Sequence, residues 1–206
     1  MTDLDSAYGL ETPDDNLRLY RDWAQSYDQD FAEGMDYVLP LRVAEAFRAA
    51  GGHGPVLDLG AGTGLCGVAL KALGFDAVDA CDLSQEMLDV AAEKGAYRRL
   101  FTGNMLETLP VEDATYGGIV SSGTFTHGHV GPEALGEVLR VVAPGAVIAL
   151  SINAEHWVAQ GYDSAFDALG AQITDLTVRE QRIYGDAATG PHAGDLSRVT
   201  TFRKGA

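Results

Sequence analysis

The stretch VLDLGAGTGLCG, residues 56–67, passes from an apolar run through closely spaced glycines into a helix-forming segment. A strand that ends in glycine and feeds a helix brings backbone N–H groups and a positive helix end against a ligand, with no Cβ in the way. Gly62, Gly64 and Gly67 nominally satisfy the G-x-G-x-x-G pattern of dinucleotide sites. The register disagrees with that match. The apolar run stops at Leu59, so the tight turn begins at Gly60, and a fingerprint counted from there requires glycine where Leu65 stands. Asp58 also interrupts the run, and a carboxylate at the end of a strand repels a pyrophosphate but attracts an ammonium or sulfonium group. A GxxxxGK[ST] phosphate loop is absent, which removes the kinase and ATPase classes.

Outward from this stretch, short apolar runs alternate with helical segments, as in a sheet covered by helices on both faces. Strands are expected at 56–59, 77–81, 100–102, 119–121 and 146–152, with helices near 65–73, 84–94 and 132–142 between them. Gly74 and Gly95 stand where a left-handed C′ residue belongs, Ser84 is an N-cap and Pro132 a first-turn proline. A further helix is expected over 157–169. Two long strands then follow, in ITDLTVREQRIYG and LSRVTTFR, joined by the loop 185–195. The fold expected is a Rossmann-like, doubly wound α/β architecture, with a mostly parallel seven-stranded sheet and an antiparallel C-terminal strand pair.

Before the glycine loop, Thr12 caps and Pro13 opens a helix whose stripe includes Leu17, Tyr20, Ala24 and Tyr27, and a second helix runs from Pro40 to the stop AAGGHG. No repeat or linker is visible, so one domain is expected over 1–206, with residues 1–50 as a helical lid on a core at 51–206.

The 206 residues, 46% hydrophobic, suffice for a sizeable core. The net charge of -16 disfavours nucleic acid, which calls for a basic stripe. With no signal-peptide pattern at the start and no run long enough to cross a bilayer, a soluble cytoplasmic protein is expected. Cys66 and Cys81 read as two buried thiols.

The series VLDLGAGTG, VDACDLSQEML, GNMLETLP and VVAPGAVIAL resembles the ordered motifs of class I S-adenosylmethionine-dependent methyltransferases, over residues 55 to about 155. YRDWAQSYDQDF and FTHGHVGPEAL further resemble a small methyltransferase-like subgroup. The resemblance implies that Gly60, Ala61, Gly62 and Gly64 admit the methionyl tail and ribose of the cofactor, with Asp58 aligned to the loop or to the amino group. It implies Asp82 on the ribose hydroxyls, and a carboxylate at that strand end is chemically suited to accept from both. Leu83 and Met87 would pack on the adenine or ribose, Asn104 and Met105 would lie beside the adenine, and Ser121 and Ser122 would face the crevice below the sulfonium. Tyr27 would close over the cofactor as part of the lid, with Trp23 and Tyr8 near it. Gly117 departs from the family, which commonly has an acidic residue there. Each role has a structural rival: Asp82 as a cap beside Ser84, Asp58 as a brace, Asn104 as a turn residue.

Methyl transfer needs a general base only when the acceptor is protonated at working pH. His127 and His129, in the glycine-rich loop after the fourth strand, are the candidates, and loop hydrogen bonding is their rival role. No cluster beside them completes a metal site. The Asp/Asn-Pro-Pro-aromatic motif of nucleic-acid amino-methyltransferases is absent, and a small-molecule acceptor is expected, with Trp157 near its pocket. An NAD-dependent oxidoreductase and a non-catalytic S-adenosylmethionine-binding or regulatory protein are the alternatives.

Overall fold

The computed structural model describes Asp28 and residues 34–127 and 129–206. The calls on Thr12, Tyr20, Trp23 and Tyr27 lie outside these residues. Seven strands form one sheet: β1 (Val56–Leu59), β2 (Val78–Asp82), β3 (Arg99–Thr102), β4 (Tyr116–Phe125), β5 (Val142–Asn153), β6 (Ile173–Arg182) and β7 (Leu196–Lys204). Their order is β3-β2-β1-β4-β5-β7-β6. All pairings from β3 to β5 are parallel, while β7 runs antiparallel to both β5 and β6. The C-terminal pair therefore docks with its second strand against β5 and leaves β6 at the edge, exposed along most of its length.

Among the described residues the α-helices are α1 (Leu39–Ala49), α2 (Leu65–Ala72), α3 (Gln85–Glu93), α4 (Leu135–Val141), α5 (Ala154–Ala159) and α6 (Tyr162–Leu169). Strand alternation divides the core between the two faces. On one face, Val56, Val78, Val120, Val147 and Ala149 meet Val43 and Phe47 of α1 and Cys66 and Leu70 of α2. On the other, Leu57, Ile119, Ile148 and Leu150 meet Leu135 and Val138 of α4, Trp157 of α5 and Phe166 of α6. Helix α1, expected within the lid, is thus one of the layers covering the sheet. Burying large apolar side chains in this way stabilises each by roughly 1.5–3 kcal/mol.

Punctuation follows local chemistry. Ser84 caps α3 by accepting the Met87 N–H at 3.2 Å, and Gly74 and Gly95 sit at φ +89° and +60°. The single helix expected over 157–169 is two: Asn153 caps α5 by accepting from the Glu155 and His156 N–H groups, and Gly161, at φ +66°, breaks the chain before α6. Segment 132–141 begins with a 3-10 turn at Pro132–Ala134 before α4. Cys66 and Cys81 are buried free thiols. Among the described residues no helix is long and apolar enough to cross a membrane.

Candidate active site

The strand order progresses outward in opposite directions from β1 and from β4, which lie parallel to each other, and such a switch point opens a crevice at the carboxyl ends of the strands. A cavity lies there, spanning the ends of β3, β2, β1 and β4. Its floor is the turn after β1, where Gly60, Gly62 and Gly64 all take left-handed φ values of +73°, +53° and +89°. A Cβ on Gly60 would collide with the Thr124 side chain, whereas one on Gly62 would meet none of the described residues within 4 Å. Backbone alone fits at the first position, and a ligand can approach the second closely.

Asp82 closes β2 and lines this cavity. Its Oδ2 accepts the Gly62 N–H at 2.8 Å and its Oδ1 the Ser84 N–H at 2.9 Å, so the carboxylate ties the glycine turn to the start of α3. Burial raises its pKa, while these backbone donors pull it back down. A carboxylate offers about four lone-pair sites, leaving acceptor capacity toward the cavity. Leu83, Met87, Asn104 and Met105 line the same end. Asn104 also holds its own turn, its Oδ1 accepting the Leu106 N–H at 3.0 Å and its Nδ2 donating to Glu107 at 3.3 Å.

Across the cavity stand Ser122, Gly123, Thr124, His129, Val130, Tyr37 and Pro40. His129 Nδ1 lies 2.8 Å from the His127 carbonyl, which accepts its proton and leaves the basic lone pair on Nε2. Burial lowers the His129 pKa, as do the neighbouring His156 and His127 imidazoles, so the ring is neutral at pH 7. Behind it, His156 Nε2 donates to the Val130 carbonyl at 2.9 Å, and Trp157, Tyr162 and Phe166 stack in series beneath. Burial pushes the Tyr37 phenol up to about 12, which keeps its O–H protonated.

Several sequence-derived candidates stand off the cavity wall. Asp58 is wholly buried beneath the turn, with Oδ2 accepting the Tyr97 O–H at 2.6 Å; burial pushes its pKa up to about 7. Gly64 faces Ala91 and Tyr97. Ser121 pairs with Leu150, a residue of the opposite-face core, and strand alternation turns it away from the crevice while Ser122 faces it. His127 packs edge-on against His156, with ring centroids 5.4 Å apart. Gly117 has its own reason: a Cβ there would come within 2.8 Å of the Gly54 carbonyl. Tyr27 is undescribed, but its neighbour Asp28 accepts from Thr63 Oγ1 at 2.6 Å and pairs with Lys94 at 2.6 Å, and Lys94 also donates to the Thr63 carbonyl.

Tyr37, Thr124, Tyr97 and Lys94 were not singled out from the sequence. A helix-interior glycine at position 67 was the available trace of Tyr97, because such a residue weakens a helix unless something approaches closely. Among the described residues no group of three or more His, Cys, Asp or Glu is placed to hold a metal.

Residues 56–145 match the family described as a methyltransferase domain. Residues 56–145 therefore carry a methyltransferase domain, of the class I S-adenosylmethionine-dependent type. Methyltransferase-like protein 27 of Homo sapiens is 32% identical over 151 residues, 71% of this chain and 61% of that protein, so the chain spans about three fifths of this relative's length. The demethylmenaquinone methyltransferase of Clavibacter sepedonicus is 27% identical over 81% of this chain and 70% of its own length. The solved DhpI–SAH complex superposes with a TM-score of 0.64 at 24% identity, covering 92% of this chain and 95% of that one, a likeness of fold. The glycine turn, the Asp82 carboxylate and the apolar wall are the donor set that this methyltransferase family's cofactor calls for: close backbone, a hydroxyl acceptor and a surface for a base.

Proposed function

We propose that this methyltransferase transfers the methyl group of S-adenosylmethionine, in line, to a small-molecule acceptor. The observation that carries the reading is the opposition, across one cavity, of the Gly60–Gly62 turn with Asp82 on one side and the His129 imidazole on the other. Bound there, S-adenosylmethionine supplies a methyl group on a sulfonium that is already a leaving group. Gly60, Ala61 and Gly62 present backbone to the methionyl and ribose portions, and Asp82 accepts from the ribose hydroxyls. Leu83, Met87 and Met105 give apolar cover to the base, with Asn104 at its edge. Gly64, Asp58 and Ser121 act from outside the wall, holding the turn and the end of β4. Tyr27 closes over the cofactor beside the Asp28–Thr63 tie. His129 is the base, taking an acceptor proton at Nε2, and His127 orients it through its carbonyl. Orientation of this kind contributes on the order of 7–11 kcal/mol. A small-molecule acceptor accords with the apolar wall, with the net charge of -16 and with the demethylmenaquinone named for one relative.

Titration calorimetry with S-adenosylmethionine, S-adenosylhomocysteine and NAD tests the first half: both sulfur compounds bind and NAD does not. Asp82→Ala weakens S-adenosylhomocysteine by ~1–3 kcal/mol through loss of charge-assisted hydrogen bonds. Tight NAD binding with no response to the sulfur compounds rejects the reading. Incubation of a metabolite library with labelled cofactor, read by mass spectrometry, tests the second half. Cofactor binding without label transfer across the library assigns a binding role instead.

A further inference from the structure

Two glycines of the VLDLGAGTGLCG stretch face away from the cavity, and one side chain, Tyr97, occupies room that both leave, with Ala91 beside it at Gly64. A Cβ on Gly67 would collide with the ring and hydroxyl of Tyr97, and one on Gly64 would come within 3.0 Å of Tyr97 Cε2. Tyr97 stands between α3 and β3, packed against the small cluster of Ala61, Ala80 and Leu88. Its hydroxyl donates to Asp58 Oδ2 at 2.6 Å and accepts the Gly67 N–H, in the first turn of α2, at 3.2 Å. One phenol thus joins β1 to α2 across the underside of the turn connecting them.

We propose that Tyr97 is a positioning residue for the cofactor turn: its ring fills the gaps at Gly64 and Gly67, and its hydroxyl, bridging Asp58 and the Gly67 N–H, sets the height of Gly60–Gly64 over the end of β1. The proposal rests on the methyltransferase reading, because it concerns the turn assigned to the cofactor. The hydroxyl and the ring do separable work. The ring occupies volume; the hydroxyl supplies Asp58 with a hydrogen bond that favours the ionised carboxylate. Asp58 is faced by Tyr97, by Cys66 of α2 and by Asp82 of β2, and of these Tyr97 lowers its pKa while Asp82 raises it. Removing the hydroxyl therefore moves Asp58 ionisation to higher pH and carries with it any dependence of the turn on the Asp58 charge.

Calorimetric titration of S-adenosylhomocysteine from pH 6 to 9 reads this out for the wild type and Tyr97→Phe, with thermal melting as the control for folding. Tyr97→Phe is expected to bind roughly tenfold more weakly at pH 7.5, the scale of one lost hydrogen bond to a charged group, with the midpoint of its pH dependence displaced upward. A residue that only filled space would leave that midpoint in place. Gly67→Ala separates the ring's contribution: it lowers the melting temperature, and combining it with Tyr97→Leu restores melting but not affinity. Equal affinity and an equal midpoint in the wild type and Tyr97→Phe overturn the proposal and leave the methyltransferase reading standing. Failure of the wild type to bind S-adenosylhomocysteine overturns both.

Discussion

On the side of the cavity formed by β1, β2 and β3, backbone is held by a side chain: the glycine turn keeps left-handed φ values, and the Gly62 and Ser84 amides are drawn onto the Asp82 carboxylate. On the side formed by β4, side chains are held through backbone carbonyls. His129 leans on the His127 carbonyl, and the loop carrying both is fixed through the Val130 carbonyl by His156, which packs against Tyr162 of α6, itself stacked on Trp157 of α5. The first construction resists change at single positions with no Cβ. The second reaches from Val130 to His156, 26 residues on, and can be rebuilt by substitution, which under the proposed function would suit a side that recognises an acceptor while the other keeps a constant cofactor.

The largest expected effect lies on the rebuilt side. If His129 is the base, His129→Gln lowers turnover by on the order of 10²–10⁴-fold while leaving the affinity for S-adenosylhomocysteine within about twofold. The lowered His129 pKa places the acid limb of the wild-type turnover profile below the ordinary histidine value, since the base must be neutral to act. Steady-state kinetics across pH 5–8 checks both. A loss shared equally between turnover and cofactor affinity would erase the distinction between the two sides.

An intermediate effect lies beneath the backbone side, at Asp58. The folded state holds the Asp58 proton up to about pH 7, whereas the unfolded carboxyl releases it near the ordinary carboxyl value of 3.8. The unfolded state therefore binds fewer protons between these values, and the contribution of Asp58 to stability falls as pH rises through that window and levels off above it. Asp58→Asn removes the titration. Its melting temperature, relative to wild type, is expected to rise from pH 5 to pH 7.5 by several degrees, at about 2–4 °C per kcal/mol for a chain of this size. Parallel melting curves at both pH values would show that Asp58 stays ionised beneath the turn.

What the sequence revealed follows the same division. The turn, Asp82 and the Ser84 cap were legible because strand, glycine, acid and cap are neighbours in the chain and each carries a local signal. The orientation of Asp58 was not, because β1 is buried on both faces and offers no polar alternation to say which way a side chain points. Ser121 and Ser122 posed the same problem in β4, and only the pairing with Leu150 resolves it. The break at Gly161 was hidden inside a run whose apolar spacing continues through it. Tyr97 and Tyr37 join the site through contacts 30 and more residues away in sequence, beyond the reach of any local pattern.

The smallest effect, and the sharpest test of what the backbone side is for, comes from comparing Gly60→Ala with Gly62→Ala. Both positions require a left-handed backbone, which costs a substituted residue roughly 1–2 kcal/mol. Gly60→Ala adds a collision with Thr124, so its loss of S-adenosylhomocysteine affinity should exceed that figure and be accompanied by a lower melting temperature. At Gly62 the protein leaves the space open, and strain alone accounts for any effect on folding. An affinity loss at Gly62 larger than its loss of stability therefore measures a ligand pressed against the turn, because among the described residues nothing else stands where the new methyl group would go. Equal losses in affinity and stability would mean that the ligand keeps its distance, and the glycine there would serve the turn alone.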